Sequence, residues 1–328
     1  LIIKKRYIPL IILILEALLR RLVKNHPKRP IIMEDLEKWR SGFWGEESID
    51  FYLGALPEKD YHIFHDLNFQ DGDFHHQIDT FLLSPQRGFI IDVKNYTAKI
   101  YIDTDTEQLV QKIEDREKPY PYPIAQVERH QRFISKLLAQ YNFPAIPIEY
   151  LVVFSNPNAI LHFTGRNSYK VQQHICKSPS LFNKIKTFEN LYKTEILSPK
   201  DLRRLSKLLL KLNTHPTIAI LDRYGIQKRE LLVGIHCPVC NHLPIQRKDK
   251  NWFCPSCDDY VKENALVPAL QDYFLLIGST ITNKQFREFA RVDSPDVANR
   301  LLRSANLSSS GSNKGRIYFP NQVPWKNE

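Results

Sequence analysis

The chain has 328 residues, 43% hydrophobic and 25% charged, enough to bury a substantial core and to form two or three folded units. Lysine and arginine number 46 against 36 aspartate and glutamate, a formal net charge of +10 that favours polyanionic partners such as nucleic acid. Five cysteines, four of them in two CPxC units, exclude a disulfide scaffold in a chain this long and fit a reducing, cytoplasmic compartment.

Residues 1–30 read as an N-terminal helix and a proline-containing connection, His26-Pro27 to Pro30. Lys4-Lys5-Arg6 followed by apolar Ile8 to Leu15 imitates a secretory signal. Pro9 interrupts the run, however, Glu16 and Arg20-Arg21 end it, and no small-residue cleavage site follows. A membrane span needs roughly 20 apolar residues, so the run predicts an amphipathic packing helix and no stable span, with membrane contact by residues 1–22 left open. Residues 31–54 read as helical again. Alternation over Tyr61–Asp66 predicts a strand, and Gln77–Leu83 and Phe89–Lys94 are apolar runs split by Ser84-Pro85-Gln86-Arg87-Gly88, a β-hairpin pattern. Ala98–Asp103 predicts another strand. Pro119, Pro121 and Pro123 stop regular structure ahead of a helix from about Ala125 to Tyr141, with Val127, Ile134, Leu138 and Tyr141 on one face. Glu149–Ser155 suits a buried strand, and Lys200–Leu212 a basic amphipathic helix, with a linker and another short helix near Thr214–Leu232. Asn283–Ala290 and Ser294–Ala305 read as two helices, followed by Ser308-Ser309-Ser310-Gly311 and a strand-like Arg316–Phe319. Together they predict a small helix-turn-helix-like unit with a β-wing.

Cys237-Pro-Val-Cys240 and Cys254-Pro-Ser-Cys257 form two CxxC knuckles that place four thiolates around a tetrahedral ion, the closed arrangement of structural zinc. A redox site needs one such pair, and here there are two. His236 and His242 flank a site that four sulfurs already fill, and Cys176 reads as an ordinary half-buried cysteine. A closed site cannot activate water, so this zinc folds a small ribbon. Arg247, Lys248, Lys250 and Trp252 of that ribbon suit either a phosphate backbone or packing against a neighbour. In the tail, Lys284, Arg287, Arg291, Arg300, Arg303, Lys314 and Arg316 are consistent with phosphate contacts, although such units also bind proteins.

The hairpin carries a second constellation. On a strand, residues two apart share a face, so Asp92 and Lys94 point the same way and Val93 the other, and the hairpin brings Asp79 beside them. Charged groups on one face of an apolar sheet are costly to bury unpaired, so a metal ion or a mutual ion pair is expected. Two carboxylates suit magnesium or manganese, and Lys94 would position the attacking water or the phosphate. Taken alone, Asp-x-Lys is better explained by a salt-bridged pair at a strand end, because the tripeptide is common and such pairs usually have no catalytic role. Gly42, Glu46, Ile49 and Leu53 fall at helical spacing, so Glu46 points inward with apolar neighbours and wants a partner, with a first-turn acid as the alternative. Gln126 opens a helix behind a proline, and His130, on the same face, is either a groove residue or a surface histidine.

Gly45-Glu46, Gln77-Ile78-Asp79, Asp92-Val93-Lys94-Asn95-Tyr96 and Pro123-Ile124-Ala125-Gln126-Val127-Glu128-Arg129-His130 occur in the order and spacing of the nuclease-related domain (NERD) family. The chain resembles that family over roughly residues 38–155, and four ordered blocks are far more specific than one tripeptide. The family is similar to the PD-(D/E)XK nuclease superfamily, which implies a restriction-endonuclease-like α/β fold, a mixed β-sheet flanked by helices. By this resemblance Asp79 is the motif aspartate, Asp92 stands for the acid before x-Lys, Lys94 is the motif lysine, Glu46 the helix glutamate and Gln126 the glutamine. Glu is commoner where Asp92 stands; Asp is one methylene shorter, so the metal would sit closer to that strand or be reached through water.

The resulting organisation is an N-terminal helix and connection (1–30), a nuclease-related domain (31–160), a helical extension (161–233), a four-cysteine zinc ribbon (234–265) and a helix-turn-helix-like tail (266–328). The implied function is a magnesium- or manganese-dependent nuclease hydrolysing phosphodiester bonds, with DNA the expected partner. The alternatives are a non-catalytic nucleic-acid-binding protein with a degenerate nuclease fold, or a protein-interaction scaffold.

Overall fold

A computed structural model of the chain describes residues 1–214, 218–248, 250–261 and 264–321. Residues 215–217 of the expected linker, 262–263 of the expected ribbon and the side chain of tail residue Lys314 lie outside the described residues. In chain order the elements are β1 (Ile2–Lys4), α1 (Leu10–Arg21), α2 (Arg29–Ser48), α3 (Asp50–Leu53), β2 (His62–Asp71), β3 (Phe74–Leu83), β4 (Gly88–Lys94), β5 (Ala98–Asp103), β6 (Gln108–Ile113) and β7 (Arg116–Tyr120). There follow α4 (Pro123–Gln140), β8 (Ile148–Phe154), β9 (Ala159–Thr164), α5 (Ser168–Gln173), β10 (Ile175–Lys177), α6 (Leu181–Glu189), α7 (Pro199–Leu212) and α8 (Ile220–Tyr224). The last stretch holds β11 (Gln246–Lys248), β12 (Asn251–Cys254), β13 (Asp259–Val261), α9 (Leu266–Leu276), β14 (Ile281–Thr282), α10 (Asn283–Ala290), α11 (Pro295–Ser304), β15 (Leu307–Ser310) and β16 (Ile317–Pro320). Two compact units divide the chain, residues 1–6 with 40–217, and residues 7–39 with 218–328.

The first unit is built on a mixed sheet in the order β1-β2-β3-β4-β8-β10. Ser84–Arg87 close the β3–β4 hairpin, whereas β4 and β8 run parallel and need a long crossover, which β5 to β7 and α4 supply. Strand β8 is apolar almost throughout because both faces of the sheet are covered. On one face Phe64, Phe81, Ile90 and Val152 pack with Val127, Ile134 and Leu138 of α4 and Leu205 and Leu209 of α7. On the other, Phe89, Ile91, Leu151 and Val153 pack with Leu53 of α3 and Leu181 and Ile185 of α6. The α/β architecture, a mixed sheet flanked by helices, is therefore the one expected.

A second sheet, β7-β6-β5-β9, corrects the reading of the proline-rich stretch as irregular. Pro119 pairs with Val110 inside β7, which the sheet tolerates because β7 is an edge strand that has no need of another N–H donor. Pro123 opens α4 as its first residue. Tyr141, expected on the apolar face of that helix, caps it instead and is 38% exposed.

In the second unit α1 is a packing helix as expected. Leu15 and Leu18 are fully buried, and Arg21 Nε meets Asp272 Oδ2 of α9 at 2.8 Å while Nη1 donates to Gly234 O at 2.7 Å. Among the described residues no helix is long and apolar enough to cross a membrane. The antiparallel sheet β11-β12-β13 forms the cysteine ribbon, and its Trp252 is buried in one core with Leu266, Tyr273, Phe286 and Leu302. Packing, the second of the two roles open to Trp252, is the one it takes. The succession α9, β14, α10, α11, β15, β16, with β16 paired between β14 and β15, makes the tail a winged helix-turn-helix arrangement.

Candidate active site

The β3–β4 register sets Thr80 against Ile91, so Asp79 and Asp92 stand one step beyond, where that ladder ends. Strand β4 continues beside β8, with Asp92 opposite Val152 and Lys94 opposite Phe154. Asp79 Oδ2 accepts the Val93 backbone N–H at 2.7 Å, which fixes the carboxylate across the splayed strand ends. Asp92 is buried, and Lys94 Nζ donates to Asp92 Oδ1 at 3.2 Å and to Gln126 Oε1, at the start of α4, at 3.1 Å. The fold thus joins Asp79, Asp92, Lys94 and Gln126 in one chain of contacts.

Glu46 reaches the same neighbourhood through a close approach of α2. A Cβ on Gly45 would stand 2.6 Å from Asn95 Cβ and 2.8 Å from Ser155 Oγ, so only glycine lets the helix lie there. The inward carboxylate has found its partner in Arg6, whose Nη1 donates to Glu46 Oε2 at 2.7 Å. Arg6 also grips Asp50 bidentately, with both contacts at 3.0 Å, and its Nη2 reaches Thr80 Oγ1 at 3.0 Å and His65 Nδ1 at 2.9 Å. Lys4, one strand period earlier, donates to the backbone carbonyls of His65 and Asp66. Arg6 and Lys4 were not among the expected site residues, because Lys4-Lys5-Arg6 reads as the charged lead of an apolar helix. The signal that could have found Arg6 is the demand of inward Glu46 for a cation.

Burial, and then Asp79, push the Glu46 carboxyl up to about 9 against the opposing pull of Arg6. Burial, and then Asp92, push Asp79 up to about 7, opposed by Lys94 and the Val93 N–H. Burial likewise raises Asp92 against Lys94. For Lys94 burial acts downward, but Asp92 and Asp79 outweigh it and hold the ammonium above its ordinary range. The pocket therefore holds more carboxylate than Arg6 and Lys94 neutralise, a field that favours additional positive charge.

Asp92 Oδ2 gives this field a direction. It is buried 3.0 Å from Lys94 Nζ yet without a hydrogen-bond partner among the described residues. A buried carboxylate whose one close cation is a lysine, beside a second buried carboxylate, fits a hard divalent cation, which takes one or two carboxylates and completes its shell with water. Among the described residues the carboxylates do not form a tight cage. Among the described residues the four cysteines are the one group of three or more Asp, Glu, His or Cys residues whose ligand atoms all lie within 4.8 Å of each other.

His130 corrects the surface alternative. It is 2% exposed, with its Nδ1 3.1 Å from His76 Nδ1, and burial followed by His76 pushes it down to about 3. In the ribbon, Cys237 Sγ lies 3.9 Å from Cys257 Sγ and Cys240 Sγ 3.5 Å from Cys254 Sγ. The His242 backbone N–H draws Cys240 down to about 6 while hydrogen bonding with Cys240 pushes Cys257 up to about 12, as expected of thiols that cannot all ionise without a cation. The donor set fits structural zinc. Cys176, in β10, is fully buried rather than half-buried, and burial pushes its thiol up to about 12.

A helix-flanked mixed sheet whose strand ends carry Asp79, Asp92 and Lys94 is a nuclease-like α/β unit. Residues 41–155 match the family model of the nuclease-related domain, the stretch over which the four sequence blocks run. No curated protein and no solved structure matches the chain.

Proposed function

We propose that the chain is a cytoplasmic, nucleic-acid-processing protein whose nuclease-related domain hydrolyses phosphodiester bonds of DNA with magnesium or manganese held by Asp79 and Asp92. The observation that carries this reading is the buried pairing of two carboxylates, Asp92 and Asp79, beside the Lys94 ammonium that Gln126 holds. The bound ion would lower the pKa of a water and offset charge building on the phosphodiester. The residues of the chain do the positioning. Gln126 and Asp92 aim the Lys94 ammonium, which would orient a phosphate oxygen or the attacking water. Asp79 holds the β4 backbone through Val93, and Arg6 restrains Glu46, whose raised carboxyl would be drawn into its ionised form by the cation. The ribbon orders the second unit, whose tail would hold substrate.

One observation favours the non-catalytic alternative, a nucleic-acid-binding protein on a nuclease fold: Glu46 is already committed to Arg6 at 2.7 Å. Incubating the purified protein with single- and double-stranded DNA and RNA, with and without magnesium or manganese, separates the two. Metal-dependent cleavage that falls on the order of a hundredfold or more in Lys94→Ala is expected. Substrates left equally intact by wild type and variant would end the catalytic reading.

A further inference from the structure

The winged unit holds a groove of about 780 Å³ walled by α10, by α11 from Pro295 to Arg303, and by Asn313, Arg316 and Tyr318 of β16 and the turn before it. Its lining includes Lys284, Arg287, Arg303 and Arg316 against a single acid, Asp296. In a folded protein cations usually face carboxylates. Here the Nε atoms of Arg287 and Arg316 are buried without a hydrogen-bond partner among the described residues. Arg287 Nη1 is spent on the Asp293 carbonyl at 3.0 Å, which anchors that guanidinium in the wall. The Tyr318 hydroxyl donates to Asn299 Oδ1 at 3.0 Å, leaving the Asn299 NH2 as a further donor. Thr282 and Asn283 begin α10 and Pro295 and Asp296 begin α11, so both helices turn their positive ends toward the same space. Lys284 lies 3.9 Å from Glu288 and Asn283 donates to the Pro295 carbonyl, so the positive charge left facing the groove is chiefly that of Arg303 and Arg316, the chemistry of a phosphate seat.

We propose that this groove seats consecutive backbone phosphates of a nucleic-acid strand, with Arg303 and Arg316 as the principal guanidinium contacts. The choice of nucleic acid over an acidic protein rests on the reading of the first unit as a nucleic-acid-processing domain. The lining, which runs along α11 from Pro295 to Arg303, suits a strand passing along it rather than one enclosed anion. Within the same unit Arg247 of the ribbon lies close enough to Arg300 of α11 to depress its own proton affinity after burial does, so like charge continues beyond the groove.

The test uses full-length Lys94→Ala protein without added divalent ion, so that binding is read free of cleavage. Fluorescence anisotropy with short labelled oligonucleotides, single-stranded and duplex, is followed across a salt series. Replacing both Arg303 and Arg316 by Gln should weaken binding tenfold or more and lower the salt slope by about 1.4 for single strands and about 1.8 for duplex. Arg229→Gln, which removes an exposed charge of the same unit outside the groove, should change affinity less than about threefold. Retained zinc and an unchanged melting curve show that the double variant is folded. Equal affinity in parent and double variant, an equal loss in Arg229→Gln, or displacement of the oligonucleotide by a polyglutamate peptide as readily as by unlabelled DNA would each overturn the assignment. Groove-dependent binding in a protein that cleaves nothing would instead sink the catalytic reading and leave the groove standing.

Discussion

The cysteine centre of the second unit converges on a point, whereas the carboxylates of the first are each tied elsewhere: Asp79 to a backbone N–H, Asp92 to Lys94 and Glu46 to Arg6. Four thiols within 4.8 Å have no internal cation, so the ion completes the fold. The carboxylate pocket brings its own cations, so its fold stands without an ion, and on the proposed reading its ion would be an exchangeable one. The source of the counter-charge is then what would separate a structural from a labile metal in this chain.

Removing zinc tests this contrast with the largest effect. Chelation of the reduced protein, or Cys254→Ser, should remove on the order of 10 kcal/mol from the second unit, exposing Trp252 to solvent and to fluorescence quenchers. Hydrogen exchange in β4 and β8 of the first unit should stay slow. A second unit that melts unchanged after chelation, or reduced protein without stoichiometric zinc, breaks the comparison.

Arg6→Ala sharpens the other half. Leaving Glu46 and Asp50 without their buried cation should cost about 3–5 kcal/mol in urea unfolding, and adding Glu46→Gln should restore part of that loss because a neutral amide needs no partner. Additive losses in the double variant would mean that Arg6 does not serve as the counter-ion of Glu46.

The most gradual effect, small at any one step of pH, is a pH dependence. His130 is held at about 3 against an ordinary 6.5, so between those values the unfolded chain binds a proton that the folded one refuses. Stability from this group is complete above 6.5 and falls as pH drops, by about 1.4 kcal/mol per pH unit. Replacing His130 by Gln should flatten that slope in acid unfolding curves, and an unchanged slope would assign the acid sensitivity to other groups.

Local patterns were legible and distant pairings were not. Ala98–Asp103 and Asn283–Ala290 form with the expected bounds because strand alternation and a helix start are written in adjacent residues. Strands β6 and β7 are short, polar and partly exposed, so no apolar period marks them, and Pro119 argues against a strand until its edge position is known. Strand β1 pairs in parallel with β2 some 60 residues away, as Ile2 opposite Ile63 shows, and nothing in Ile2–Lys4 announces that partner. The candidate site divides the same way. Asp79, Asp92 and Lys94 follow from a hairpin and strand periodicity, whereas Arg6 depends on β1 and stays hidden with it.

The split of both units along the chain has a consequence for synthesis. Arg21 and Asp272 are 251 residues apart, yet their contact is buried. At about 5–20 residues per second a ribosome needs roughly 12–50 seconds to travel from one to the other. For that interval the apolar face of α1 has emerged and its partner α9 does not exist. The second unit can close only after α9 has been made, so the nascent chain offers a greasy helix to chaperones well before it offers a folded second unit to any substrate.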